Sequence, residues 1–181
     1  MTWRGRMSEK PRFLKESEVW EKRRKIAELF REALKAENKR EFETAKKKLD
    51  EILELSKDEL PEIYFEACFK LAEVFFEEDN YRGSVKCALR ALYNAPNWDL
   101  YLVGIKRIKD MLFILKKRGN LEVFGENMEP MCRFLEDNEE LQAFVRGLIA
   151  IAKGRKDITK YLESISTPEL KEALELLVKS H

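Results

Sequence analysis

The sequence predicts an all-α chain assembled from antiparallel helix pairs. Three observations lead there. Apolar residues recur at helical spacing, close to every 3.6 residues, along nearly the whole chain, and no convincing strand pattern interrupts them. The 181 residues include only 7 glycines and 5 prolines, while Lys, Glu and Leu dominate, which leaves little for the turns of a sheet. A polar turn followed by a bulky residue returns at Phe42, Tyr81, Leu121 and Ile158, at intervals of 39, 40 and 37 residues. A period of this size marks a helical-repeat array.

Residues 1–15 read as a basic arm with Trp3, Phe13 and Leu14 as docking points, which leaves 16–181 as one helical domain. A first helix is expected after Ser17, a favourable N-cap residue, with Ile26, Leu29, Phe30, Ala33 and Leu34 in its stripe. A second carries Phe42, Ala45, Leu49, Ile52 and Leu53 to about Ser56. Pro61 suits the first turn of a third, which runs to about Glu78 with Ile63, Ala67, Leu71, Ala72 and Phe75 inward. A fourth keeps one face small through Ser84, Ala88 and Ala91 and stops before Pro96.

A fifth helix spans roughly Asp99 to Arg118, with Leu102, Ile105, Ile108, Leu112 and Leu115 on one side, and Gly119-Asn120 is its stop. A sixth is expected over about 121–136, kinked or divided by Pro130. A seventh covers about 139–153, and a short eighth holds Ile158, Tyr161 and Leu162. Thr167-Pro168-Glu169 combines a cap, a first-turn proline and a first-turn acid, and so opens a last helix with Leu170, Leu174 and Leu177.

The second helix pair resembles a tetratricopeptide repeat. Cys68, Leu71, Ala72 and Phe75 match the spacing of that family's first helix, and Ser84, Ala88, Ala91 and Pro96 that of its second. The first pair fits with Leu29, Ala33 and Ala36, then Phe42, Ala45 and Leu49. The third departs, with Leu112 and Phe124 where small residues are usual, and so does the fourth, with Ile149 and Tyr161. The period also exceeds the family's usual 34 residues. The resemblance covers residues 17–165 and implies a right-handed α-solenoid of about four helix pairs, with 168–180 as a terminal capping helix.

Little in the chain points to catalysis. The only histidine is His181, the last residue, so a histidine-based triad, metal cluster or general base is not expected. No phosphate-binding glycine motif and no CxxC is present. The neighbouring acids Glu77/Glu78 and Glu139/Glu140 read as solvated charges. Cys68, Cys87 and Cys132 lack metal-ligand spacing and read as buried thiols, with a Cys68–Cys87 disulfide as an open alternative. The expectation is a non-enzyme without cofactor or metal. No apolar run approaches the roughly 18 residues of a membrane span, and no secretory pattern opens the chain, so a cytoplasmic protein is expected. High Lys and Glu with a single glutamine, Gln142, resembles the composition of hyperthermophile proteins.

What remains is surface recognition. The tetratricopeptide resemblance implies a protein-interaction scaffold with a concave groove lined by the first helix of each pair. Projecting that face by repeat spacing places Phe30, Leu34, Phe69, Glu73 and Phe76 at an apolar, acidic end. Lys106, Lys109, Phe113, Lys116, Arg146 and Lys153 fall at a basic end. The expected ligand is a protein or peptide with an acidic portion against that basic end. A second reading is nucleic-acid binding by the basic N-terminal region, through Arg4, Arg6, Lys10, Arg12, Lys22–Lys25 and Lys46–Lys48 with Trp3, Phe13 and Trp20 interleaved. The net charge of only +1 argues against it. Residues 1–50 carry 16 basic against 10 acidic side chains and residues 51–100 carry 5 against 11, so a homodimer pairing the two regions is a further expectation.

Overall fold

The structure, a computed structural model, describes residues 12–179, with side chains from residue 15 onward. The described residues form helices and turns, without a strand. Helix α1 is Arg12–Asn38, α2 Phe42–Ser56, α3 Pro61–Glu77, α4 Tyr81–Tyr93 and α5 Trp98–Lys117. A 3₁₀ turn, Leu121–Gly125, and a short α6, Glu129–Phe134, follow. Then come α7 Glu139–Ala152, α8 Thr159–Leu162 and α9 Pro168–Val178. Helices α1 to α5 pack in chain order, each on the next. The 3₁₀ turn packs on α7, and α9 lies against both α5 and α7.

One turn is built four times. Residues Arg40, Asp79, Gly119 and Gly154 each take a left-handed conformation, with φ of 61°, 62°, 74° and 90°. After each, the next N–H donates back across the helix end: Glu41 to Ala36, Asn80 to Phe75, Asn120 to Leu115 and Arg155 to Ala150, at 2.8–3.0 Å. The left-handed residue itself donates three positions back, to Glu37, Phe76, Lys116 and Ile151. This pair of bonds is the Schellman closure, which satisfies carbonyls that the helix end would leave open. For the fourth turn the sequence offers both the end of the seventh helix at Gly154 and the signal Lys156-Asp157-Ile158; the left-handed residue is Gly154, where glycine carries the highest φ of the set at no steric cost.

The small face of α4 lies in the core. Ser84, Ala88 and Ala91 are fully buried, and so are Cys68 and Ala72 on the facing α3. The Ser84 hydroxyl donates to the Ala72 carbonyl at 2.7 Å, which stitches the pair where side chains are too short to hold it by bulk. Asn80, Asn97 and Asn138 cap α4, α5 and α7 by accepting from Gly83, Leu100 and Leu141. Gly104 lets α5 approach α3 and α4, because a Cβ there would sit 2.5 Å from Leu92 and 3.3 Å from Phe65 and Phe69.

Several expectations need correction. Among the described residues helix α1 already runs from Arg12 rather than from after Ser17, since no glycine or proline interrupts residues 12–38. Residues 12–15 therefore belong to α1 and not to an arm; Trp3, the Phe13 and Leu14 side chains and His181 lie outside what is described. Of the two expectations for the sixth helix, kinked or divided, the structure has the second. The segment is a 3₁₀ turn and a separate short helix, with Asn127 at φ 63° between them. Pro130 lacks an N–H and its ring would meet the carbonyl four residues back, so a helix cannot pass through it unbroken. Phe124 fills the core from the 3₁₀ turn instead of an alanine from a helix. The three cysteines are free and buried, so Cys68 and Cys87 are not bridged.

Helix α9 is fixed by a carboxylate that the sequence reading left in solvent. Glu140 accepts from Tyr101 Oη at 2.5 Å, from the Ser166 and Thr167 N–H groups at 3.1 and 3.0 Å, and from their hydroxyls at 3.2 and 2.8 Å. Thr167 occupies the N-cap position of α9, but its hydroxyl serves Glu140 and not its own helix. Burial raises the Glu140 pKa, yet the donated hydrogen bonds outweigh it and hold the carboxyl below its ordinary value. Lower down, a Cβ on Gly147 would lie 2.5 Å from Leu174, so α7 and α9 touch backbone to side chain.

Candidate functional site

Residues of α1, α3 and α5 come together on one surface, with Ser84 of α4 beside them. Between the three lies an open cleft of about 600 Å³, within the range of ligand-binding clefts. Its floor is apolar, with Phe69, Ala72 and Phe76 from α3 and Met111 from α5. Ile114 is 43 % exposed, a large aliphatic side chain held at the mouth. Ser84 reaches the floor from α4, with its hydroxyl on Ala72 and 3.1 Å from the Met111 sulfur.

The walls are charged, and acids outnumber bases. Glu37, Glu66, Glu73, Glu77 and Asp110 line the cleft against Lys70 and Arg107. Arg107 meets Glu66 at 3.3 and 3.4 Å and lies over the Phe69 ring, 5.0 Å from its centroid. Lys70 bonds Glu73 at 2.9 Å and stands 3.6 Å from Glu37. Asp110 is bridged at 3.0 Å by Lys106 just outside. Glu77 has no such cation at hand. It shares a hydrogen bond with Glu37, and that bond, then burial and the charges of Glu37 and Glu73, push its pKa up to about 7, with Arg40 opposing.

Of the residues projected from repeat spacing, Phe69, Glu73 and Phe76 line this cleft. Leu34 stands on α1 one turn before Glu37, 49 % exposed and outside the lining, and Phe30 is half-buried further along the same side. The basic end does not form an open wall. Lys109 pairs with Glu172 of α9 at 3.1 Å. Lys116 donates to the carbonyls of Leu176 and Lys179 at the end of the same helix. Phe113 is half-buried beneath Lys117, whose ammonium lies 4.8 Å from its ring centroid. Arg146 on α7 and Lys153 after it are exposed and apart from the cleft.

The cleft residues absent from that projection are Glu37, Glu66, Lys70, Ala72, Glu77, Ser84, Arg107, Asp110, Met111 and Ile114. A signal for them existed. Glu66, Phe69, Glu73, Phe76 and Glu77 follow one helical stripe, and so do Arg107, Asp110, Met111 and Ile114. Of the basic N-terminal set, Lys22 pairs with Glu59, Arg24 with Glu21, Lys46 with Glu43 and Glu78, and Lys48 with Glu32.

Among the described residues, no buried side-chain nitrogen or oxygen lacks a hydrogen-bond partner, and no group of three His, Cys, Asp or Glu could hold a metal ion. None of the described helices is long and apolar enough to cross a membrane. Comparisons with protein-family models, with curated proteins and with solved structures return no match.

Proposed function

We propose that this chain is a tetratricopeptide-like solenoid acting as a protein-interaction module, and that it holds a segment of a partner protein in the cleft between α1, α3 and α5 without catalysing a reaction. The observation behind this is the cleft itself, with an apolar floor, a charged rim and Ile114 standing half-open at its mouth. Such a composition is that of a recognition surface, with apolar anchoring at the centre and polar selection at the edge. The fourfold turn and the buried small face of α4 support the repeat reading. The ion pairs of Lys22, Arg24, Lys46 and Lys48 favour a protein partner over nucleic acid, since those cations already face carboxylates.

The test is a lysate pull-down with the native chain beside Leu34→Ser/Ile114→Ser. Both side chains are exposed, so the double variant keeps the native circular-dichroism spectrum. A protein captured by the native chain and lost by the variant is the expected result. Equal capture by both, or capture of nucleic acid alone, sinks the proposal.

A further inference from the structure

We infer that the cleft selects a cationic, apolar-anchored protein segment, with a lysine or arginine side chain seated between Glu37 and Glu77. This rests on the reading of the cleft as the docking site and adds the chemistry of the occupant.

Charge complementarity carries the inference. The cleft's two cations are already taken, Arg107 by Glu66 and Lys70 by Glu73 and Glu37. Asp110 has Lys106. What is left over is Glu77, set against Glu37 from the neighbouring helix. Glu37 and Glu77 line the same cleft, and two nearby carboxylates repel unless a proton or a cation stands between them. The charged groups around the pair are Arg40 at the end of α1, and Lys70 and Glu73 on α3. Across the cleft are Arg107 and Asp110 on α5, with Arg118 beyond them, engaged over the Phe76 ring 5.5 Å away. Helix α4 contributes only the neutral Ser84. An entering ammonium or guanidinium meets both carboxylates at once and satisfies them better than the shared proton. Beside it, Phe76, Met111 and Ile114 offer an apolar surface for a Leu, Met or Phe one helical turn away.

An acidic segment, the occupant expected from the projected basic end, finds no counterpart here. Lys109 and Lys116 are held by α9, and the cleft would set carboxylate against carboxylate. The shared proton adds a signature. When the cation enters, the proton on the Glu37–Glu77 pair leaves to solvent. Binding then strengthens with pH, by about tenfold from pH 6 to pH 8 for one proton released from a group titrating near 7.

The experiment uses the full chain and three fluorescein-labelled, helix-patterned peptides: Leu with Lys, Leu with Glu, and Ser with Lys. Binding is read by fluorescence anisotropy. The Leu/Lys peptide is expected to bind, at least about tenfold more tightly than either of the others. Its affinity should fall with salt and rise from pH 6 to pH 8. Glu73→Lys/Glu77→Lys should weaken it at least about tenfold, whereas Glu139→Lys/Glu163→Lys, with both changes away from the cleft, should not. Glu77→Gln should flatten the pH dependence. A Leu/Glu peptide that binds as tightly, no binding of the Leu/Lys peptide, or indifference to the Glu73/Glu77 reversal overturns the inference. If such a failure accompanies loss of a lysate partner in Leu34→Ser/Ile114→Ser, the docking cleft stands and only its cation preference falls. If that variant keeps its partner, the docking reading falls first.

Discussion

Removing the Glu140 side chain should loosen the C-terminal end of the molecule more than any single surface change. Five hydrogen bonds from Tyr101, Ser166 and Thr167 converge on it. The Tyr101 and Thr167 donors are partly buried, while Ser166 can turn to water. A buried donor left unpaired costs about 1–3 kcal/mol; partial burial puts each of these two in the lower part of that range, which gives about 2–4 kcal/mol for Glu140→Ala. In a chain of this size each kcal/mol moves the melting midpoint by about 2–4 °C, which predicts a fall of about 5–15 °C. Glu140→Gln keeps the volume and one acceptor and should lose about half as much. The pH dependence gives the decisive control. The folded-state pKa of Glu140 lies below the ordinary carboxylate value, so its contribution is complete above the unfolded-state pKa and disappears as pH falls through the folded one. The gap between native and Glu140→Gln melting points, followed by circular dichroism from pH 7 downward, should start to close near the usual glutamate pKa of about 4.3 and vanish below the folded value. A gap of the same size at every pH, or a Glu140→Ala midpoint within a degree of native, refutes this account of how α9 is held.

Three other outcomes follow from the packing and titration. Ala91→Leu should cost about 1–3 kcal/mol by overpacking the fully buried α3–α4 contact, read as a lower denaturant midpoint with unchanged slope. Glu77→Gln acts in the opposite sense. The raised Glu77 pKa means that native stability is complete below the unfolded-state pKa and is lost as pH rises towards about 7, so the variant should melt higher than native at pH 8 and equally at pH 4 in differential scanning fluorimetry. Burial, the largest influence on both groups, raises the Cys68 pKa to about 12 and that of Cys87 to about 11. A maleimide probe at pH 8 should therefore leave both unlabelled in the folded chain, where about one Cys68 in ten thousand is thiolate, and label both in denaturant.

Most of the helical framework was legible because the longer helices bury a stripe of period 3.6, and several of them start at a capping side chain or end at a left-handed turn. Asn97 and Asn138 emerge as caps only in the structure, while Asn80, Gly119 and Gly154 are plain in the sequence. Arg40 and Asp79 are not, since nothing in those side chains demands a positive φ; the return bonds of Glu41 and Asn80 impose it. The break between the 3₁₀ turn and α6 was half-legible. Pro130 marks it, but the choice of a 3₁₀ turn for 121–125 depends on where buried Phe124 fits against α7. The destination of α9 was not legible. Leu170, Leu174 and Leu177 show that it buries a face, and only tertiary contact shows that the face meets α5 and α7. That one docking decides the fate of Lys109 and Lys116, which by spacing alone are groove residues.

The same docking explains the sign of charge the cleft presents. A helix end carries unpaired carbonyls and a partial negative charge, and a cation there is stabilising. Lys116 fills that role for α9, and Lys109 takes up Glu172 along its side. The basic residues of α5 beside the last helix are thus neutralised from within. On α3 the balance runs the other way. Residues 51–100 carry an excess of six acids, and Glu66, Glu73 and Glu77 from that segment meet Glu37 across the cleft with only Lys70 and Arg107 to answer them. Like charges gathered in one cleft raise the free energy of the unliganded state, and the raised pKa of Glu77 is the local expression of that cost. A ligand gains most where such a cost is relieved. The part of the molecule with most to gain from a cation is therefore the same part that offers an open apolar floor.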